Sequence, residues 1–282
     1  MDRRRIGEWL AWGLCGIALA LVVLPAVDIV VGVVARSVGS WSWSLLATPT
    51  TGSGGGLLNA WTGTLTLGAF LLLVAGPVGV LGGLYLAEFG GARLGGLLRF
   101  LSEVLAGVPS IVVGYVIYLS LVVGLGWSFS TLAGVIALAV MVVPYVMKST
   151  EAALRQVPAS LREGGAALGL PQHLAISRVL LPVAAPNIIT GLVVAEAIGM
   201  GETAPLIYTA GFSNALPSLQ LVHRPVGYLT YVVWTYINEP SAAAHQVAYS
   251  AAALLLVMLL LLIVAGRLIG WRAARFAGRY QA

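Results

Sequence analysis

The sequence predicts an all-α integral membrane protein with six transmembrane helices, and three observations support this fold class. First, 59% of the 282 residues are hydrophobic and 9% are charged, whereas soluble domains carry about 25% charged residues. Second, long apolar runs recur along the chain without the alternating pattern of membrane-spanning strands. Third, the basic residues are concentrated in alternate connections between these runs. This composition excludes a soluble, disordered or disulfide-rich secreted protein.

Six apolar runs approach or exceed the length of about 20 residues that a helix needs to cross a bilayer. The predicted spans are Trp9–Val34, Thr64–Ala87, Val104–Val123, Thr131–Met147, Leu180–Met200 and Val247–Ile269. The first run is too long for a signal-peptide core and lacks a small-residue cleavage pattern, so we expect it to remain as a helix. In the second run, Gly79 and Gly83 have the four-residue spacing that lets helix backbones approach closely.

The distribution of basic residues predicts the orientation. Six spans place both termini on the same side, and cytoplasmic loops of membrane proteins carry an excess of Lys and Arg. With cytoplasmic termini, the basic residues inside are Arg3, Arg4, Arg5, Arg93, Arg99, Lys148, Arg155, Arg162, Arg178, Arg267, Arg272, Arg275 and Arg279. Only Arg36 and Arg224 then lie outside. We therefore expect a multi-pass protein of the cell membrane with both termini in the cytoplasm.

The spans also divide the chain into three parts. Residues 1–60 comprise the N-terminal transmembrane helix and the first outer loop, and residues 61–270 comprise the transmembrane core. Residues 271–282 form a basic cytoplasmic tail. Within the core, residues 148–182 are expected to form a long cytoplasmic loop.

Several kinds of catalytic and metal site are missing from the sequence. Lys148 is the only lysine, and it follows Met147 instead of the glycine that a phosphate-binding P-loop requires. Cys15 is the only cysteine, so no cysteine-based metal cluster can form. The three histidines, His173, His223 and His245, lie on separate segments. We expect no catalytic residue and no bound metal or cofactor in this chain, and any ATPase must be a separate subunit.

The predicted cytoplasmic loop contains a recognisable spacing. Residues 163–169 read Glu-Gly-Gly-Ala-Ala-Leu-Gly, and nine residues later residues 179–182 read Val-Leu-Leu-Pro. This pattern resembles the coupling loop of importer-type ABC permeases, in which a short helix docks on the ATPase. The residues that match are Glu163, Gly164, Gly165, Ala166, Gly169, Leu181 and Pro182. The resemblance implies an ABC permease fold with a cytoplasmic coupling helix, whereas a generic cytoplasmic linker is the alternative interpretation.

The coupling motif departs from the family at one point. Gly164 and Gly165 stand where the family has two alanines, and each glycine weakens a helix by about 1 kcal/mol relative to alanine. We therefore expect docking on the ATPase to order this helix. An earlier Glu-Ala-Ala sequence at Glu151 has no glycine at the required distance, so we assign it to the preceding helix.

Further motifs narrow the resemblance to phosphate-importer permeases. They are Leu-Ala-Gly-Val-Pro-Ser-Ile-Val at 105–112, Val-Val-Pro-Tyr at 142–145 and Gly-Glu-Thr-Ala-Pro-Leu at 201–206. The last motif favours the PstA-type subunit over the PstC-type subunit. The resemblance spans about residues 45–270. It implies a heterodimer with a PstC-type permease, a PstB-type ATPase dimer that uses ATP and Mg²⁺, and an extracytoplasmic PstS-type phosphate-binding protein.

Four polar residues are candidates for the translocation pathway: Glu202, Thr203, Glu196 and Ser110. Ionisable groups at membrane depth are costly, and they usually face a cavity or a charged partner. Because a carboxylate repels phosphate, Glu202 is expected to pair with an arginine of the partner permease or to gate the path. Simple helix capping by Glu202, local pairing of Glu196 and helix packing of Ser110 are the alternatives.

The sequence does not show which residue supplies a positive charge to the transported anion. Related permeases often carry an arginine four residues before this glutamate, Glu202, and Ile198 occupies that place here.

Two other functions also stay open. A permease of the same fold for molybdate, sulfate or phosphonate would differ only in the anion. An ion-coupled secondary carrier should show inverted repeats or charged relays at mid-membrane depth, and we find neither in the sequence.

Overall fold

The computed structural model describes residues 3–52 and 54–277, with side chains from residue 8 to residue 275 except at position 53. The first third of the chain consists of two long helices joined by short elements. These are α1 (Arg3–Ser37), a 3-10 turn (Val38–Ser40), α2 (Trp43–Ala47), β1 (Thr50–Thr51), β2 (Gly54–Gly55) and α3 (Leu58–Glu88). The two strands pair in antiparallel register, with Thr50 opposite Gly55.

The remaining elements are also helical. They are α4 (Ala92–Gly107), α5 (Ser110–Ile117), a π-helical turn (Tyr118–Gly124), α6 (Thr131–Arg155), α7 (Ala159–Ala167), α8 (Gln172–Ala175), a second π-helical turn (Ile176–Leu180), α9 (Leu181–Gly201), α10 (Ala204–Thr209), α11 (Leu229–Ile237) and α12 (Ala242–Ala277). We call the end of the bundle where α6 ends and α7 begins the coupling end, and the opposite end, with α10 and α11, the distal end.

The long apolar helices agree with the predicted count of six spans. Five segments of the described chain are long and apolar enough to cross a membrane, and one bent pair of shorter helices supplies a sixth. The five segments are Glu8–Ser40, Leu58–Glu88, Thr131–Arg155, Gln172–Gly201 and Ala242–Arg275. Each contains one of the predicted spans. Of the predicted tail, α12 includes residues 271–277, and residues 278–282 lie outside the described part of the chain.

The predicted third span, Val104–Val123, is wrong as a continuous helix. The chain bends by 102° between α4 and α5. Pro109 has no backbone N–H to continue the helix, and it disfavours helical dihedrals in the residue before it. Val108 is accordingly extended, with ψ at 130°. The apolar run therefore forms the end of one helix and the whole of another.

The core is formed mainly by α3, α6 and α9. Leu71 of α3, Leu138 and Val142 of α6 and Ala195 of α9 belong to one buried cluster. Gly79 of α3 faces Val146 of α6, and the predicted Gly79–Gly83 pair lies at this helix contact. Most of α1, by contrast, is exposed, and it packs against α12.

Candidate functional site

The predicted coupling motif forms α7 and the turn that follows it. Gly165 is buried against the rest of the chain, whereas Glu163, Gly164, Ala166 and Gly169 are exposed. The helix includes both glycines, and the expectation that docking orders it stays a prediction. The outward face consists mainly of small residues.

The exposed surface of α7 ends with an apolar side chain and a tight turn. Leu168, directly after the helix, is 81% exposed. Gly169 has a φ of +70°, a left-handed conformation that glycine adopts without steric cost. The amide of Gly169 donates to the carbonyl of Ala166, and the amide of Leu170 donates to that of Gly165. These bonds satisfy the last carbonyls of the helix and hold Leu168 outward.

An ion pair that the sequence analysis missed attaches α7 to the bundle. Nη1 of Arg162 lies 2.6 Å from Oε2 and 2.7 Å from Oε1 of Glu88, the last residue of α3. Nη2 of Arg162 donates to the carbonyl of Leu154 in α6 at 2.8 Å. The Glu88 side chain is only 8% exposed. Since the two residues are 74 positions apart, no local spacing could have paired them.

Removing this ion pair should loosen α7. In Arg162→Gln, the buried carboxylate of Glu88 loses its partner, which costs about 3 kcal/mol. We expect amide hydrogen exchange of residues 159–167 to accelerate at least about tenfold. The double variant Glu88→Gln/Arg162→Gln should recover part of the protection, because no unpaired charge remains. Arg178→Gln, which changes an exposed arginine near the same loop, is the control, and unchanged exchange in Arg162→Gln would contradict the prediction.

The other two motif residues lie at the start of α9. Leu181 and Pro182 are both half-buried and occupy its first turn. Proline is compatible with this turn, because the first amides of a helix have no internal acceptor. The helical path is nevertheless continuous from residue 172 to residue 201, through α8 and the second π-helical turn. The segment after the coupling helix therefore connects directly with a membrane span.

A groove between α6 and α9 contains polar side chains that the sequence analysis did not single out. Its volume is about 420 Å³. The polar residues along it are Tyr145, Ser149, Gln156, Asn187 and Thr190. They recur at intervals of three to seven residues on each helix, a spacing that places them on one helical face. This spacing is the feature of the sequence from which a polar groove could have been predicted.

The groove is neutral and wide enough for a small solute. The amide of Asn187 donates to Oε1 of Gln156 across it at 3.3 Å. Asn187 and Thr190 are exposed, as are the apolar residues Val194 and Ile198 toward the distal end. Ile198, the neutral residue four positions before Glu202, therefore lines this groove.

Glu196 lies on a different side of α9. It is 6% exposed and faces α3, where a Cβ added to Gly68 would come within 2.6 Å of its Oε1. Among the described residues, no salt bridge or hydrogen bond partner is found for this carboxylate. The structure thus places Glu196 away from the groove and beside a glycine that makes room for it.

The remaining predicted pathway residues lie nearer the distal end. Glu202 directly follows α9 and is half-buried, and its main-chain carbonyl accepts a hydrogen bond from Thr230 at 2.9 Å. Thr203 directly precedes α10, and its side chain makes no capping bond to that helix. Ser110 begins α5, whose Gly114 contacts Pro205 of α10. Glu202 and Thr203 thus form the connection between α9 and α10, and Ser110 begins the helix that packs against α10.

Comparisons with known proteins point to one family. The family model for "Binding-protein-dependent transport system inner membrane component" matches residues 79–277. The chain is 51% identical over 273 residues to "Phosphate transport system permease protein PstA 2" of Mycobacterium tuberculosis, covering 97% of this chain and 91% of that protein. It is 35% identical to "Probable phosphate transport system permease protein PstA" of Methanocaldococcus jannaschii, covering 84% of each.

Solved structures support the fold. The inward-facing MetNI methionine ABC transporter includes a chain that matches with a TM-score of 0.61 and 22% identity, covering 77% of this chain and 95% of that one. A chain of an amino acid ABC transporter matches with a TM-score of 0.56 and 23% identity, covering 77% and 92%. At these identities the similarity establishes the architecture alone.

Proposed function

Because this chain belongs to the family of binding-protein-dependent transport system inner membrane components, we propose that it is a permease subunit of an ATP-driven importer of inorganic phosphate. The observation that supports this most strongly is the 51% identity, over 97% of the chain, to a phosphate transport system permease. The phosphate-permease motif at 105–112 and the PstA-type motif at 201–206 lie within that match. The importer reading is favoured over an ion-coupled carrier, since the family model describes a component of a binding-protein-dependent system.

The proposed assembly contains four kinds of subunit. This chain pairs with a PstC-type permease, a PstB-type ATPase dimer binds below, and a PstS-type binding protein delivers phosphate from outside. Both termini and the coupling end face the cytoplasm, since this orientation puts most of the basic residues inside. The ATPase subunits bind ATP and Mg²⁺, and this chain binds neither.

Coupling begins at α7 in this proposal. Closure of the ATPase dimer around ATP displaces the docked helix through its exposed face and Leu168. The Arg162–Glu88 ion pair transmits the displacement to α3, and the continuous helical path from 172 to 201 transmits it to α9. Since α3 and α6 are closely packed at Gly79 and Gly83, they move together, and the α6–α9 groove opens alternately to the two sides.

The α6–α9 groove is the proposed contribution of this chain to the phosphate path. Its hydroxyl and amide groups can donate hydrogen bonds to phosphate oxygens while an apolar section, at Val194 and Ile198, binds the anion weakly. Weak binding favours passage, because an anion held tightly leaves slowly. The PstC-type subunit covers the open side of the groove and supplies positive charge at the level of Ile198.

Glu202 provides a specific prediction for the outer end of this path. If it pairs with a cation of the partner permease, Glu202→Gln leaves that cation unpaired, which costs about 2 kcal/mol or more and reduces uptake about 30-fold or more. The matched control is Glu239→Gln, which neutralises another half-buried carboxylate at the distal end. Initial rates of phosphate uptake at equal protein levels provide the measurement. Full uptake by Glu202→Gln would show that the Glu202 carboxylate has no role in the translocation pathway.

Transport by the assembled complex tests the proposed function. All four subunits are reconstituted in vesicles with ATP on the ATPase side, and uptake of radiolabelled phosphate is measured with sulfate or molybdate as competitors. We expect ATP-dependent phosphate uptake that excess sulfate and molybdate do not inhibit. Uptake of sulfate or molybdate instead would favour the alternative oxyanion, and ATP-independent uptake driven by an ion gradient would favour a secondary carrier.

A further inference from the structure

A second polar cavity lies beside the groove at the coupling end, and charged side chains form most of its wall. Its volume is about 550 Å³. The lining residues are Arg99, Glu103, Lys148, Glu151, Ala152 and Arg155. Three are cationic and two are anionic, so the cavity has a net positive charge. None of the steps proposed above uses it.

Glu151 is the fixed centre of this cluster. Its Oε1 accepts hydrogen bonds from Nε of Arg99 at 2.9 Å and from Nε of Arg155 at 3.0 Å. Arg99 also donates to the carbonyl of Leu86 at the end of α3. The Glu151 side chain is buried, with the residue only 8% exposed. Its single negative charge neutralises only one of the two guanidinium charges that it contacts. The arrangement holds α4 against α6 and leaves excess positive charge at their surface.

Lys148 and Arg155 are the accessible cations of the cavity. The ammonium of Lys148 is 3.9 Å from Oε1 of Glu103, and both side chains are well exposed, at 44% and 67%. Exposed ion pairs of this kind contribute about 1 kcal/mol or less, so an anion can displace Glu103. The Arg155 side chain is 58% exposed, and its Nη1 has no hydrogen bond partner among the described residues.

The position of Ala152 connects this cavity with the groove. Ala152 lies between Lys148 and Arg155 on one face of α6, at intervals of four and three residues. It lines both the charged cavity and the α6–α9 groove. Its small side chain leaves space between the two cations. An anion that moves along the groove toward the coupling end therefore reaches Lys148 and Arg155 next.

We propose that Lys148 and Arg155 form a binding site for a phosphate group at the coupling end of the groove. The inference rests on the proposed function in one respect, since transport makes inorganic phosphate the expected occupant, released there to the cytoplasm. An ammonium and a guanidinium are the two groups that proteins use most for phosphate oxygens. The headgroup of an anionic lipid offers the same chemistry at this depth, so the source must be distinguished by experiment.

Because Lys148 is the only lysine, occupancy of the site can be measured by chemical modification of its amine. An amine-reactive acetylating reagent can modify only Lys148 and the N-terminus of the purified full chain, and mass spectrometry gives the rate at Lys148. In detergent without lipid, we expect saturating inorganic phosphate to slow this modification about fivefold, as occupancy of a site requires. Chloride at equal ionic strength should have no such effect. Equal rates in phosphate and chloride, together with no protection by lipid, would overturn the proposal.

Variants and lipid distinguish the possible occupants. Arg155→Gln should abolish protection by phosphate, Arg155→Lys should retain it, and Arg93→Gln, which changes an exposed arginine outside the cluster, is the matched control. If phosphatidylglycerol nanodiscs protect Lys148 and free phosphate does not, the site stands and its occupant is a lipid headgroup. If protection appears only when the ATPase is added, the surface is a protein contact and the proposal fails.

The uptake assay separates this proposal from the proposed function. ATP-driven phosphate uptake with no protection of Lys148 by phosphate or by lipid contradicts the site and leaves the function standing. Protection of Lys148 by phosphate in a complex that transports another anion supports the site and contradicts the function.

Discussion

Replacing Leu168 with aspartate is expected to abolish coupling between this chain and its proposed ATPase. Leu168 is 81% exposed at the end of α7, and complete burial of a leucine contributes about 2 kcal/mol. Aspartate loses that contribution and adds a charge, which is costly to bury in a contact with the ATPase. A loss of 2 kcal/mol or more corresponds to a decrease in binding of about 30-fold. ATP-driven phosphate uptake should therefore fall by at least that factor.

The matched control is Leu168→Met, which keeps an apolar side chain of similar volume and should retain uptake. Copurification of the ATPase with each variant shows whether docking is the step that is lost. Because Leu168 contacts solvent in the single chain, neither substitution should change folding. An aspartate variant that retains both the ATPase and normal uptake would show that α7 docks through another surface.

The second large effect is expected at the contact between α3 and α6. A Cβ at Gly83 would lie 2.5 Å from the carbonyl oxygen of Met147 and 2.6 Å from Cβ of Thr150. A main-chain oxygen and a Cβ atom cannot rotate away, so Gly83→Ala must separate the two helices. Such overpacking costs about 1–3 kcal/mol or more, against a gain of about 1 kcal/mol in helix propensity. We expect a net loss of up to about 2 kcal/mol in the free energy of unfolding.

Gly96→Ala is the matched control for this prediction. Gly96 lies within α4, and a Cβ there would have no neighbour within 4 Å. The same substitution should therefore leave stability unchanged or raise it by up to about 1 kcal/mol. Unfolding of the purified variants in mixed detergent micelles, followed by helicity, gives both values. If Gly83→Ala were as stable as Gly96→Ala, close packing at Gly83 would not be needed.

The architecture of the membrane core could be predicted largely from the sequence, because the bilayer requires long apolar helices. Five of the six predicted spans lie within long helices of the structure. The exception, Val104–Val123, shows the limit of a hydropathy argument. Hydropathy cannot distinguish a straight span from two helices that meet at Pro109 with a bend of 102°. The residues around that proline contained the necessary signal, since proline restricts the residue before it.

The candidate site was less predictable, because most of it depends on contacts between distant segments. The coupling motif lies within one loop, so its spacing placed α7, Gly169 and the start of α9 correctly in the chain. The Arg162–Glu88 ion pair joins segments 74 residues apart. The orientation of Glu196 toward Gly68 likewise depends on how α9 packs against α3, which residue type alone does not reveal.

The groove between α6 and α9 could be predicted in part from the sequence. Tyr145 and Ser149 recur at helical spacing on α6, as Asn187 and Thr190 do on α9. Each pair by itself is common on the surface of a membrane helix. Only the packing of the two helices brings the pairs to one groove, with Ile198 at its far end.

The ATPase activity of the assembled complex tests the central claim most directly. The rate of ATP hydrolysis is measured with the binding protein in three states: without ligand, loaded with phosphate, and in the presence of sulfate. A phosphate importer in which this chain couples transport to the ATPase should hydrolyse ATP faster only with the phosphate-loaded binding protein, and Leu168→Asp should remove that increase. If no ATPase assembles with the chain, or if phosphate leaves the rate unchanged, the account is contradicted.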